Sequence, residues 1–221
     1  MPFRDRLNAG KKLANALKGY EGQDPVILAL PRGGVPVAAE IAASLRAPLD
    51  VILVRKIGAP MQPELAMGAV VNGAVPIIVR NEDIIREAMV SEADFSRVCD
   101  LELAEIARRR RRYLGDRKPI DVKNRVAIIV DDGIATGATT RAALRATRMR
   151  KPKKLVLAVP VAASDSLREL MREADDVVCL EDYENLGAIG LYYSDFSQTS
   201  DDEVIETLAR FPSISKAGEK A

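Results

Sequence analysis

The stretch that decides the fold is Val126-Ala-Ile-Ile-Val-Asp-Asp-Gly-Ile-Ala-Thr-Gly-Ala-Thr139. Five apolar residues, 126–130, are too few for a free-standing helix and suit a central parallel strand covered on both faces. Asp131 and Asp132 follow where such a strand leaves its sheet. Gly133, Ala135, Gly137 and Ala138 keep the next turn free of bulk, while Thr136 and Thr139 add hydroxyls at the mouth of a helix running on to Arg148. A helix N-terminus with exposed amides and small neighbours is an anion site. Two carboxylates beside it can accept hydrogen bonds from a vicinal diol, so the combination asks for a sugar phosphate. The plainer alternative is an ordinary strand–loop–helix turn in which Asp131 or Asp132 only caps the helix.

Working outward, the same grammar recurs. A basic amphipathic helix is expected over 3–19, a buried strand over 26–30, a helix from Val35-Pro36 to about 46, and a second core strand over 49–54. Residues 59–63 read as a looser stretch. Strands are expected around 65–71 and 76–79, with Asn72-Gly73 as the hairpin turn between them. Residues 82–114 read as one or two helices, broken near Val90-Ser91 and closed by Gly115. After the decisive stretch come a strand at 155–161, a helix at 164–174, a strand at 176–180, an irregular segment over 181–199, a helix at 201–210 and a frayed tail over 213–221. Alternating strands and helices imply right-handed βαβ units. The expected fold is therefore α/β, a mainly parallel sheet flanked by helices, in a single domain. In such sheets ligands sit beyond the carboxyl ends of strands. Three strands end there in phosphate-friendly chemistry: Pro31-Arg32-Gly33-Gly34, Arg55-Lys56, and residues 131–139.

Composition narrows the chemistry. The chain has 221 residues, 48% of them hydrophobic, with 33 basic and 32 acidic side chains. That balance gives no reason to expect wholesale binding to nucleic acid or an anionic membrane. No apolar run is long enough for a membrane span, and the charged start Met1-Pro-Phe-Arg-Asp-Arg6 is unlike a secretion signal. Cys99 and Cys179, far apart in apolar surroundings, are expected as free thiols in a reducing cytoplasm. The absence of histidine removes Ser-His-Asp triads, Cys-His pairs and histidine zinc sites. Neither a P-loop nor a Gly-x-Gly-x-x-Gly fingerprint is present. Any metal is expected to be a hard cation on oxygen ligands, most naturally Mg2+.

The stretch 126–139 resembles the phosphoribosyl pyrophosphate signature of type I phosphoribosyltransferases: an apolar strand, two acidic residues, then a Thr-Gly-x-Thr phosphate loop. The resemblance spans about 24–200 and is weakest over 181–200, where the family carries a variable hood. It implies that Asp131 and Asp132 hold the ribose 2- and 3-hydroxyls, with Asp132 also placed to assist charge development. Gly133 and residues 135–139 would wrap the 5-phosphate. Arg32-Gly33-Gly34, a concave nest of unhindered amides beside a cation, matches the loop that receives pyrophosphate. Arg55-Lys56 is similar to a basic pair that ends the second core strand in several members; solvated strand-end charge is the alternative. Residues 62–68, including Glu64, lie where the family often has a mobile lid, although a rigid connector or the excursion at 81–118 competes for that role.

Tyr192 and Phe196, within an aromatic cluster, resemble the part of the hood that stacks on a base; a small hood core is the competing reading. Enzymes of 6-oxopurines use a lysine in this region and residues 175–200 contain none, which argues against hypoxanthine or guanine. Asp131-Asp132 also stands where many purine enzymes have Glu-Asp. The implied activity is transfer of ribose 5-phosphate from phosphoribosyl pyrophosphate, with Mg2+ carried by the substrate, to a base the residues do not name. A cytoplasmic homodimer is implied. The alternative is a non-catalytic phosphoribosyl pyrophosphate sensor on the same fold. Arg108 to Arg112 reads first as a solvated helix end, with Glu105 pairing Arg109, and second as a patch for an anionic partner.

Overall fold

Strands apolar along their whole length need cover on both faces, and a computed structural model supplies it. The structure describes residues 2–73 and 75–211, and the side chains of all of these except Pro63 and Glu64. Strands β1 (Pro25–Ala29), β2 (Leu49–Val51), β6 (Val126–Val130), β7 (Lys154–Ala163) and β8 (Asp176–Tyr183) form one parallel sheet in the order β2-β1-β6-β7-β8. Period-two alternation sends Ile27, Ala29, Ile128 and Val130 to one face, with helices α1 (Arg6–Ala16), α2 (Gly34–Leu45) and α7 (Asp201–Ala209). Val26, Leu28, Ala127 and Ile129 go to the other, against α5 (Ala138–Met149) and α6 (Ser164–Leu170).

This partition positions the site. From β1 the chain crosses to β2 through α2 on one face; from β6 it crosses to β7 through α5 on the other. The sheet reverses its winding between β1 and β6, and the crevice at their carboxyl ends is where such a fold accepts a ligand. The two strands stay paired to their ends, where the Leu30 amide donates to the Val130 carbonyl at 2.8 Å.

The second core strand is shorter than its apolar run suggests. After Val51 the chain leaves the sheet, and Val54–Ala59 becomes β3 of a separate antiparallel sheet, β3-β4-β5, with β4 (Gln62–Val71) and β5 (Ile77–Arg80). Buried Asn72 makes the exit possible. Its side-chain oxygen accepts from the Leu53 amide at 2.7 Å, and its amide group donates to the Val51 carbonyl at 3.2 Å. The backbone groups freed from the ladder thus keep partners. Arg55 and Lys56 accordingly sit within β3, and do not end a strand of the parallel sheet. The segment expected to be loose is a hairpin: Gln62 pairs with Ala59 across Pro60-Met61. Between β4 and β5 the connection runs over residues 72–76, longer than a two-residue Asn-Gly turn.

Residues 82–114 do break at the expected place, into α3 (Glu82–Glu87) and α4 (Glu92–Leu114). Ser91 caps α4, and Gly115 closes it at φ +54°. The N-terminus joins the irregular segment near the C-terminus: the Phe3 amide donates to Tyr192, while Phe3 and Arg4 carbonyls accept from Ser194 and Asp195. Cys99 and Cys179 are free thiols, the first buried and the second half-buried. No helix among the described residues is long and apolar enough to cross a membrane. The tail at 213–221 lies outside the described residues.

Candidate sugar-phosphate site

At the carboxyl end of β6, Asp131 and Asp132 turn the chain, the Asp132 amide donating to Asp131 Oδ1 at 2.9 Å. Neither carboxylate caps α5; Gly137 is its N-cap residue, at φ +70°, and no side chain caps the first turn. The capping alternative is thereby set aside. The amides of that first turn are left as donors for an anion, with the helix dipole behind them. Ala135, Thr136, Ala138 and Thr139 are exposed around this opening.

Two anchors fix the loop. Ile134 bridges β7, donating to Val161 at 2.9 Å and accepting from Ala163 at 2.9 Å. The Ser166 hydroxyl of α6 donates to the Ala135 carbonyl at 2.5 Å. Gly133 is required by packing, since a Cβ there would lie 2.4 Å from Ile189 Cγ2.

The Arg32-Gly33-Gly34 turn lies directly against the acidic pair. A Cβ on Gly33 would fall 1.9 Å from Asp132 Oδ2, and one on Gly34 would fall 2.7 Å from the Val130 carbonyl oxygen. The two carboxyl-end loops expected from sequence are therefore in contact, and glycine is what permits it. The Pro31–Arg32 peptide is cis. Arg32 reaches Asp201 at 3.6 Å, at the start of α7. Asp201 also accepts from Tyr113 at 2.5 Å and pairs with Arg112 at 2.8 Å. The Tyr113 hydrogen bond, with the arginine charges, holds the Asp201 carboxyl below the usual carboxylate range.

Asp132 is held from a direction the sequence did not announce. Arg6, in the first turn of α1, donates to Asp132 Oδ2 at 2.7 Å; both side chains are nearly shielded, at 12% and 13% exposure. The Tyr193 hydroxyl donates to the Asp132 carbonyl at 2.6 Å, and burial pushes that phenol's pKa upward. Burial, with the Asp132 charge beside it, pushes the Asp131 carboxyl well above its ordinary range. Nothing in the spacing singles out Arg6 from Arg4, Lys11 and Lys12 in the same segment.

Arg55 and Lys56 divide between the two faces of β3. Arg55 points to α4 and donates to Glu102 at 2.6 Å. Lys56 pairs with Ala69, whose side chain belongs to the cluster packed on α5, so Lys56 occupies the strand face turned toward α5. A cavity of about 470 Å³ between β3 and α4 is lined by Arg55, Arg97 and Glu102.

The aromatic cluster forms, chiefly as a small core. Phe3, Tyr193 and Phe196 pack together, with centroids 5.3 Å and 4.9 Å apart. The Arg6 guanidinium lies 3.9 Å from the Phe196 centroid, and Tyr192 stacks on Tyr183 at 4.5 Å. Of the arginine run, Arg108 and Arg109 pair with Glu105 at 2.8 and 2.7 Å, holding that carboxyl down to about 2. Arg112 is spent on Asp201, while Arg110 donates to the Arg117 carbonyl. These partners account for four of the five arginines; Arg111 is exposed.

No group of three or more His, Cys, Asp or Glu side chains among the described residues could cage a metal, and Asp132 Oδ2 is committed to Arg6. The remaining carboxylate oxygens of Asp131 and Asp132 are of the kind that suits a hard cation.

A family model described as "Phosphoribosyl transferase domain" matches residues 5–195. The chain belongs to the phosphoribosyl transferase domain family. Two Mycobacterium tuberculosis proteins, from strains H37Rv and CDC 1551 and named provisionally as phosphoribosyl transferases, are each 46% identical over 208 residues. That match takes in 94% of this chain and 46% of theirs, so the chain spans about half the length of the curated relatives it matches. The crystal structure of TT1426 from Thermus thermophilus is 39% identical, with a TM-score of 0.86, covering 96% of this chain and 100% of that one. The family match takes in the Arg32-Gly33-Gly34 turn, the acidic pair, the loop at 135–139 and Arg6.

Proposed function

We propose that the chain is a phosphoribosyltransferase, which moves ribose 5-phosphate from phosphoribosyl pyrophosphate to a nitrogenous acceptor and releases pyrophosphate. The observation that carries this reading is the contact between Gly33 and Asp132 at the switch point, beside the uncapped start of α5. It brings together the Arg32-Gly33 turn with its cation, a carboxylate pair and a helix-mouth anion site, three features that a pyrophosphorylated ribose phosphate needs at once.

In the reaction proposed, residues 135–139 hold the 5-phosphate through backbone amides and the Thr136 and Thr139 hydroxyls. Asp131 and Asp132 accept hydrogen bonds from the ribose hydroxyls. The Gly33 amide, with Arg32, receives the pyrophosphate; the Gly34 amide already donates to the Leu30 carbonyl at 3.0 Å, so the two-glycine nest expected from sequence reduces to one open amide. Mg2+ riding on the pyrophosphate supplies charge neutralisation to the leaving group, and Asp131 or Asp132 would meet it through water. A nitrogen lone pair forms the new bond to C1 as the C1–oxygen bond breaks, and its electron pair leaves with pyrophosphate. The carboxylate of Asp132 would oppose the positive charge that develops on the ring. Positioning and charge complementarity do the catalytic work, which suits a chain without histidine.

A second reading, a non-catalytic sensor of phosphoribosyl pyrophosphate, has its own support. Phe196 is covered by Arg6 and Tyr193, and Tyr192 is stacked on Tyr183, so both hood rings already have partners. Pyrophosphate release, screened across purines, pyrimidines and other nitrogen acceptors with Mg2+ present, separates the two. Release with one acceptor supports the transferase. Saturable binding without release from any acceptor supports the sensor.

A further inference from the structure

We propose that Arg6 is a positioning residue for the sugar-phosphate site: it holds Asp132 over the Gly33 turn with one carboxylate oxygen occupied and the other left for a ribose hydroxyl. The inference rests on the sugar-phosphate reading above and adds a residue from outside the signature.

The geometry builds this arrangement from three elements. Arg6 Nε donates to Asp132 Oδ2 at 2.7 Å, while a second guanidinium nitrogen donates to the Ser197 carbonyl at 2.7 Å. Its flat face rests 3.9 Å from the Phe196 centroid, and that ring is backed by Tyr193 and closely approached by Gly190. A guanidinium stacked on one side and bonded at two of its nitrogens has one orientation. Arg6 takes up Oδ2 of Asp132, the Asp131 carboxyl hydrogen-bonds to the same carboxylate, and Oδ1 is the oxygen we assign to the ligand. Tyr193, donating to the Asp132 carbonyl, fixes the main chain below.

The helix that carries Arg6 is itself mounted on the site. Gly10 packs α1 so closely on α2 that a Cβ there would lie 2.8 Å from the Val37 carbonyl oxygen, and α2 starts at the Gly33-Gly34 turn. Asp5 caps α1 one residue before Arg6, its carboxylate accepting from the Asn8 amide at 2.6 Å. The N-terminal helix, the hood segment at 193–197 and the acidic pair are thus joined through one side chain. In a site this shielded, a carboxylate without its cation would turn toward any other donor or toward water, and a diol would meet it in the wrong place.

The test is calorimetric titration of wild type, Arg6→Met and Arg6→Lys with two ligands in Mg2+: phosphoribosyl pyrophosphate, and pyrophosphate, which has no diol. The expected result is that Arg6→Met weakens phosphoribosyl pyrophosphate by on the order of tenfold to a hundredfold. Its affinity for pyrophosphate stays unchanged, and Arg6→Lys recovers part of the loss. If Arg6→Met does not fold, Arg6→Gln, which keeps donors but not charge, takes its place. A wild type that fails to bind phosphoribosyl pyrophosphate overturns the sugar-phosphate reading and this inference together. Wild-type binding with an unaffected Arg6→Met overturns the role of Arg6 alone. So does equal weakening of both ligands, or a lysine variant no better than methionine, because a merely structural arginine behaves in those ways.

Discussion

Adding one methyl group at Gly33 isolates the contact on which the site depends. Gly33 has φ −61° and ψ −32°, a conformation alanine adopts without strain. The new Cβ, however, would lie 1.9 Å from Asp132 Oδ2 and 2.5 Å from its Cγ. Restoring even a 3.0 Å separation from Oδ2 moves that oxygen by at least about 1.1 Å, while Arg6 and Tyr193 hold the residue from the other side. A misplacement of about 1 Å at a reacting centre costs roughly a hundredfold. Because the obstacle is the end of a side chain, the fold should lose only about 1 kcal/mol.

Gly34→Ala is the contrasting case. Its Cβ meets the Val130 carbonyl oxygen at 2.7 Å and Asp131 Cα at 3.0 Å, both backbone atoms that cannot swing away, so about 2–3 kcal/mol of stability should go with it. Urea unfolding and titration with phosphoribosyl pyrophosphate, run on both variants, give the comparison. A Gly33→Ala protein that binds as tightly as wild type would refute the placement of Asp132 in the ligand site.

Asp131→Asn should stabilise the ligand-free protein at pH 7, seen as a rise in Tm. Burial raises the folded carboxyl of Asp131 above its ordinary value of 3.8, so its contribution to stability is complete below that value and is lost as pH rises through the raised one. The advantage of the variant should therefore shrink as melts are taken toward pH 4; an advantage independent of pH would contradict this. Thr139→Val should weaken ribose 5-phosphate by roughly fivefold, about the worth of one hydrogen bond, and unchanged affinity would remove its hydroxyl from the phosphate site. Asp50, buried and accepting from the Val51 and Ile120 amides at 2.9 and 2.8 Å, holds the approach to β6. Its alanine variant should lose about 2–4 kcal/mol in urea unfolding by leaving both amides unpaired, and a loss under 1 kcal/mol would show that water replaces the carboxylate.

Where function is contiguous in the chain, the sequence carried it. Residues 126–139 hold strand, acidic pair, small-residue loop and helix start in one run, and each signal is local: two-sided burial, missing bulk, an uncapped helix. Arg32-Gly33-Gly34 was legible for a related reason, since consecutive glycines signal close approach, and the structure shows the carboxylate that approaches. What escaped depends on packing between distant segments. The apolar run from Leu49 to Val54 contains no break, so its departure from the sheet becomes visible only through Asn72, which supplies the lost backbone partners. Arg55 and Lys56 were readable as a basic pair but not as occupants of opposite faces, which requires the register of β3 on β4. Arg6 is one of several cations in an amphipathic helix, and the α1–α2 contact at Gly10 together with Ser197 and Phe196 aims it at Asp132. Phe196 could have been an open platform or part of a core, and the difference lies in what packs on its face.

The most direct test of the central claim is calorimetric titration of phosphoribosyl pyrophosphate with Mg2+ into wild type and into Asp131→Asn combined with Asp132→Asn. The site described here gives saturable binding to wild type and none to the doubly substituted protein, with both folded by circular dichroism. Equal affinity for the two proteins would contradict it.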